Sequence, residues 1–233
     1  MKTPRQGSKT NKTASLFVVF LIITGIGSAA FNPIAEAKEE VRYVSELQTN
    51  LKEPVDVAVS DSGDVYVLDK KLGQVHVFDK EGKVKISFDT KGSAIGKMYS
   101  PESIALSLDK EIIVADTGNK RILVFKPNGQ FDYVLGSKGS NPGEFSMPNC
   151  VAVNPSGYIF VADRRNRTLS RYTPKGVFLS KYTLEQEADD ILFDRQNNLY
   201  ILFAKDGKIV KWDAALEVKE ELKLVKETRD LLK

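Results

Sequence analysis

Apolar residues along this chain come in short runs of four to six, rich in Val, Ile, Phe and Tyr and divided by turn-forming clusters. From Pro101 to Pro148 the runs are Ser103-Leu106, Glu111-Ala115, Arg121-Phe125 and Phe131-Leu135. Between them lie Asp109-Lys110, Asp116-Thr117-Gly118-Asn119 and Pro127-Asn128-Gly129. Runs of this length with tight-turn punctuation predict four antiparallel strands joined by hairpins.

The unit repeats. Pro54-Val55-Asp56-Val57, Pro101-Glu102-Ser103-Ile104 and Pro148-Asn149-Cys150-Val151 open three copies, and a shorter fourth begins near Asp189-Asp190-Ile191. Second strands align as Asp64-Asp69, Glu111-Asp116, Tyr158-Asp163 and Asn198-Phe203. Such a period is the signature of an all-β propeller whose four-stranded blades pack face to face around a channel. The repeats span about 54–100, 101–147, 148–187 and 188–225.

Val114-Ala115-Asp116-Thr117-Gly118-Asn119-Lys120-Arg121-Ile122-Leu123-Val124-Phe125, with Asn128-Gly129 and the crossover through Gly143-Glu144-Phe145 to Pro148, resembles the NHL repeat of six-bladed propellers. Copy one has Gln74 at the motif's arginine, and copy four has lost both the Asp and Arg positions. Recurrence once per repeat gives Asp69, Asp116 and Asp163 an architectural role, as acceptors for backbone N–H groups of the following turn. Arg121 and Arg167 are expected to reach across to neighbouring blades, and no catalytic residue is assigned.

Four copies against the six of the resembling family favour an incomplete propeller over a tight four-bladed closure. Open blade edges would then allow self-association. Val41-Leu47 reads as a lone fourth strand without a blade to finish, because Glu217-Leu224 already reads as the fourth strand of copy four, with a short helix as the alternative.

The first 37 residues have a different composition. Lys2, Arg5, Lys9 and Lys12 precede an apolar run from Leu16, and Ala35-Glu36-Ala37 follows. This reads as a signal peptide cut after Ala37, hence export to a periplasm or the medium; an uncleaved membrane anchor over residues 16–31 is the alternative. The chain has 34 basic and 31 acidic residues; the leader holds four of the former and one of the latter, leaving 30 of each. A neutral domain lacks the basic excess that nucleic acid demands.

The lone Cys150 cannot form an internal disulfide and reads as a buried, inert thiol. The lone His76 cannot by itself build a His-based metal site. Candidate function therefore falls to loops. On the propeller topology, one face gathers Lys70 and Lys71 from copy one, Asn119 and Lys120 from copy two, and Arg164, Arg165 and Asn166 from copy three. The crossover adds Lys138. Converging cations suit an acidic segment of an envelope or secreted protein, or an anionic ligand.

The resemblance implies an exported, non-catalytic interaction or ligand-binding platform without a cofactor. It also leaves an alternative, a metal-dependent lactonase- or lyase-like enzyme working at the channel mouth. For that, Asp56, Glu102, Asn149 and Asp190 of successive first strands offer an oxygen-ligand set for calcium.

Overall fold

The computed structural model describes residues 51–89 and 91–224. The expected leader and cleavage site and the predicted strand at residues 41–47 lie outside them. Blade 1 comprises β1 (Pro54–Val59), β2 (Val65–Asp69), β3 (Gln74–Phe78) and β4 (Val84–Asp89). Blade 2 comprises β5 (Ser103–Leu106), β6 (Ile112–Asp116), β7 (Arg121–Phe125) and β8 (Phe131–Leu135). The short parallel pair β9 (Ser137–Lys138) and β10 (Glu144–Phe145) lies in the crossover to blade 3. Blade 3 is β11 (Pro148–Val153), β12 (Ile159–Asp163), β13 (Thr168–Tyr172) and β14 (Phe178–Thr183); blade 4 is β15 (Asp190–Phe193), β16 (Leu199–Phe203), β17 (Lys208–Trp212) and β18 (Val218–Lys223). Each blade is an antiparallel sheet in sequential order. Four four-stranded blades make the protein an all-β propeller, and the last predicted strand is a strand.

Why Ile112 to Ala115 of β6 are all apolar follows from where the strand sits. A sheet stacked between two others buries both faces, so alternation gives way to continuous apolar runs. All five residues of β6 and of β12 are buried. One face of blade 2 packs Ile104, Ile112, Val114, Leu123 and Phe125 on blade 1. The other packs Ile113, Ala115, Ile122 and Val124 on blade 3. A third cluster joins blades 3 and 4 through Phe160, Leu169, Ile201, Val210 and Trp212. Among the described residues no such cluster joins blade 4 to blade 1.

The hairpin between second and third strands ends on a left-handed residue in every blade: Gly73 (φ 61°), Lys120 (φ 59°), Arg167 (φ 51°) and Gly207 (φ 62°). This places Arg167 in register with Lys120 and gives the place of Arg121 to Thr168. Arg167 is exposed at the loop tip, so the expectation that it reaches to a neighbouring blade is corrected: it sits at the αL position that closes the turn.

Candidate functional site

The face bearing these hairpins is organised by three buried aspartates. Asp69, at the end of β2, accepts the N–H groups of Lys52, Glu53 and Leu72. Asp116 accepts the N–H of Tyr99, the Asn119 amide and Arg121 Nε, at 2.7, 2.8 and 2.9 Å. Asp163 accepts the N–H groups of Ser146, Met147 and Asn166. Each carboxylate thus ties the incoming crossover to the hairpin of its own blade, where a buried N–H without an acceptor would be costly. Arg121 completes the clamp within blade 2, donating to Ala94 O at 2.7 Å and Lys97 O at 2.8 Å.

These clamps divide the predicted face residues. Asn119 donates to Gly92 O and Asn166 to Gly139 O, so both are joints of the scaffold. Lys70 and Arg164 converge from blades 1 and 3 on Glu102 of blade 2, at 3.1 and 3.5 Å. Lys71, Arg165 and Lys138 are exposed, Lys120 is half-buried, and among the described residues none of the four has a carboxylate partner. The side chains of Ile95 and Tyr99, on the crossover from blade 1 to blade 2, are 75% and 56% exposed.

Below this rim the first strands line the channel, and a bulge decides which side chains face it. Pro54 pairs with Asp69 and Asp56 with Leu68, leaving Val55 as the extra residue; Asn149 is the extra residue of β11. A bulge re-aims the residues around it. Glu102 and Asp189 take the corresponding place in blades 2 and 4, since their N–H groups bond Ala115 O and Leu202 O.

The channel register is therefore Asp56, Ser103, Cys150 and Asp190. The four residues expected to form one ligand set fall in two registers. Glu102 is held by cations, and the buried Asn149 donates to Ala188 O at 2.8 Å while its Oδ1 has no partner among the described residues. Among the described residues no group of three or more His, Cys, Asp or Glu side chains is gathered closely enough to hold a metal ion.

The channel register is linked from blade to blade. Asp56 accepts the Ile104 N–H at 2.8 Å, and Ser103 Oγ accepts the Val151 N–H at 3.2 Å. Cys150 is buried and donates to Asp189 O at 3.0 Å. Burial pushes its thiol well above the ordinary value, in keeping with an unreactive sulfhydryl. Burial likewise raises the Asp56 carboxyl. Asp190 is pushed up to about 6, by enclosure first and then by the charge of Asp56. Asp190 is nonetheless an exposed residue, so the cause is enclosure by its surroundings and not complete removal from solvent. His76 lies away from this register, on β3, with Nδ1 bonded to Ser87 Oγ at 2.9 Å.

The sequence profile of the NHL repeat matches residues 51–78, and that of a 6-bladed beta-propeller family matches residues 97–205. The chain is an NHL-repeat β-propeller. Among solved structures, a streptogramin B lyase superposes with a TM-score of 0.61 at 17% identity, over 78% of this chain and 59% of that one. A catalytically inactive virginiamycin B lyase from Staphylococcus aureus, solved with quinupristin, gives 0.59 at 18% identity over 75% and 56%. The hydrazine synthase of Kuenenia stuttgartiensis gives 0.59 at 16% over 77% and 52%. These likenesses show the fold alone, and this chain spans less than two thirds of each. No curated protein matches it in sequence.

In this NHL propeller, sequence reasoning missed the Lys70–Glu102–Arg164 bridge and the separation of the first strands into two registers. The second left a signal: Pro54-Val55-Asp56 and Asp189-Asp190-Ile191 do not align without counting back from the hairpin. The first left none, because blades 1 and 3 meet over blade 2 only in the folded ring.

Proposed function

We propose that this protein is an exported, non-catalytic NHL propeller whose loop face binds an acidic segment of an envelope or secreted protein. The observation that carries the reading is the split among the cations of that face. Lys70 and Arg164 share the Glu102 carboxylate, while Lys71, Lys120, Lys138 and Arg165 have no carboxylate partner among the described residues. Unpaired cations on a rigid rim attract an anionic chain at long range and release it as salt rises. Tyr99 and Ile95, exposed on the same face, supply an apolar anchor beside the charge.

The probe is a 20-residue polyglutamate peptide, titrated by fluorescence anisotropy against the propeller at low and physiological salt. Binding is expected, weakened about tenfold or more in the Lys71→Glu, Lys138→Glu, Arg165→Glu triple variant, with the circular dichroism spectrum unchanged. Equal binding by the two proteins, or none by the parent, rejects the reading.

The enzyme alternative rests on the channel carboxylates Asp56 and Asp190 and on the lyases among the structural neighbours. It has less support: the oxygen set it would use is divided between two registers, and the single histidine lies on β3.

A further inference from the structure

The crossovers from blade 1 to blade 2 and from blade 2 to blade 3 share one backbone. Gly92 donates its N–H to Met98 O at 2.7 Å as Gly139 does to Phe145 O at 2.8 Å, and Lys97 donates to Ala94 O as Glu144 does to Asn141 O, both at 3.0 Å. Asn119 and Asn166 hold the carbonyls of Gly92 and Gly139. Met98 and Phe145 plug the junctions below and are fully buried. This correspondence puts Ile95 at the place of Pro142 and Tyr99 at that of Ser146. The second crossover makes the same bonds with a proline and a serine there, so the fold does not require the first to hold Ile95 75% and Tyr99 56% exposed.

Both side chains are also fixed in position. Arg121 donates to Ala94 O and Lys97 O, on either side of Ile95, at 2.7 and 2.8 Å. The Tyr99 carbonyl accepts the Gly118 N–H at 2.9 Å, and the ring lies so close to Gly118 that a Cβ there would collide with it. The φ of Gly118 is not left-handed, so glycine serves here to seat the ring. Lys71, Gly118 and Arg165 are each the second residue after the aspartate of their own hairpin. Around the loop face, blade 2 therefore offers an aromatic ring at the place where blades 1 and 3 offer a cation. Neither Lys71 nor Arg165 has a carboxylate partner among the described residues.

We propose that the segment bound by the loop face carries an aromatic residue between acidic stretches. Tyr99 and Ile95 read that residue, and Lys71 and Arg165 hold the carboxylates on either side. The inference rests on the reading of this face as the site for an acidic segment, and adds what selects one such segment from another. Charge alone attracts any polyanion, whereas the blade 2 position discriminates among them. A ring already fixed in place loses little freedom on binding, and its edge and face reward an aromatic partner over other apolar residues. A membrane surface fits less well, because the Tyr99 ring lies on its hairpin instead of standing off the face to enter lipid.

Two 20-residue peptides serve as probes: polyglutamate, and the same peptide with phenylalanine at its centre, each titrated by fluorescence anisotropy against the intact chain. The parent is expected to bind the phenylalanine peptide about tenfold more tightly. Tyr99→Ser with Ile95→Ser should remove that gain and leave polyglutamate affinity unchanged, while Tyr99→Phe should keep it. Ile95→Ser alone, at a side chain already 75% exposed, should lose about threefold of the gain with the melting temperature unchanged.

Equal affinity of the parent for the two peptides, with both bound, overturns this proposal and leaves the acidic-segment reading standing; failure to bind either peptide rejects both. A gain that survives the double substitution overturns it as well. So does binding to phosphatidylglycerol vesicles that the double substitution abolishes, with no gain from phenylalanine, since that assigns the pair to a membrane surface.

Discussion

Asp190 concentrates the pH dependence of the channel. Its carboxyl is pushed up to about 6 by enclosure and by the charge of Asp56, so the folded chain holds its proton more tightly than the unfolded chain does. The contribution is fully favourable below the ordinary carboxylate value near 3.8 and is lost as pH rises from there through about 6. Asp190→Asn removes the charge that the channel resists. The variant is expected to melt roughly 2–4 °C above the parent at pH 7.5 and level with it at pH 3.5, as scanning calorimetry at the two pH values will show. Water in the channel screens the charge and limits the gain to this size. A gain that persists at low pH would trace to packing instead.

At the scale of elements, the clamps formed by Asp69, Asp116 and Asp163 decide the geometry of the loop face. The sequence motif indicated what these carboxylates do, since an Asp before a turn accepts N–H bonds, and the structure adds that most of those donors belong to the incoming crossover. Asp163 accepts from Ser146, Met147 and Asn166. Asp163→Ala leaves these groups without their acceptor in a buried site and should cost about 3–5 kcal/mol in urea denaturation. Asp163→Asn, which keeps one acceptor oxygen, should cost clearly less. Equal losses would mean that the site needs the charge itself.

Strand positions were legible for the same local reasons. Expected Arg121-Phe125 and Phe131-Leu135 coincide with β7 and β8. In the fourth-strand hairpins, glycine marks the left-handed position at Gly82, Gly129 and Gly176, whereas Leu216 takes it in blade 4 with φ 64°. That turn cannot be read from composition; Leu216 packs against the core between blades 3 and 4, and burial there offsets the backbone strain. The position of Arg167 was misread because Asn166-Arg167 looks like a shortened copy of Asn119-Lys120-Arg121. Backbone handedness, which a linear alignment does not register, separates the two.

For the whole molecule, burial is graded around the propeller. Every residue of β6 and β12 is buried, and every residue of β18 is exposed. Strands sandwiched between two blades open only with the global unfolding, while an outer strand of an end blade opens locally. Hydrogen exchange read by mass spectrometry should therefore find amides of β18 exchanging about 100-fold faster than those of β6 and β12. Comparable protection in β18 would show that blade 4 is covered in solution.

Much of this protein followed from the sequence alone, because it depends on contacts among near neighbours: strand length, hairpin chemistry, the four-stranded unit, its recurrence and the aspartate that closes the turn in the first three blades. The tertiary structure decided whatever depends on residues brought together from different blades. It assigned Lys70 and Arg164 to Glu102, turned Asn119 and Asn166 into scaffold joints, and set Asp56 and Asp190 in one channel register while Glu102 and Asn149 occupy the bulge. Local propensity acts over a few residues, whereas the channel and the loop face are built from segments about 48 residues apart. Only the folded chain supplies the angle between blades that determines which side chains meet.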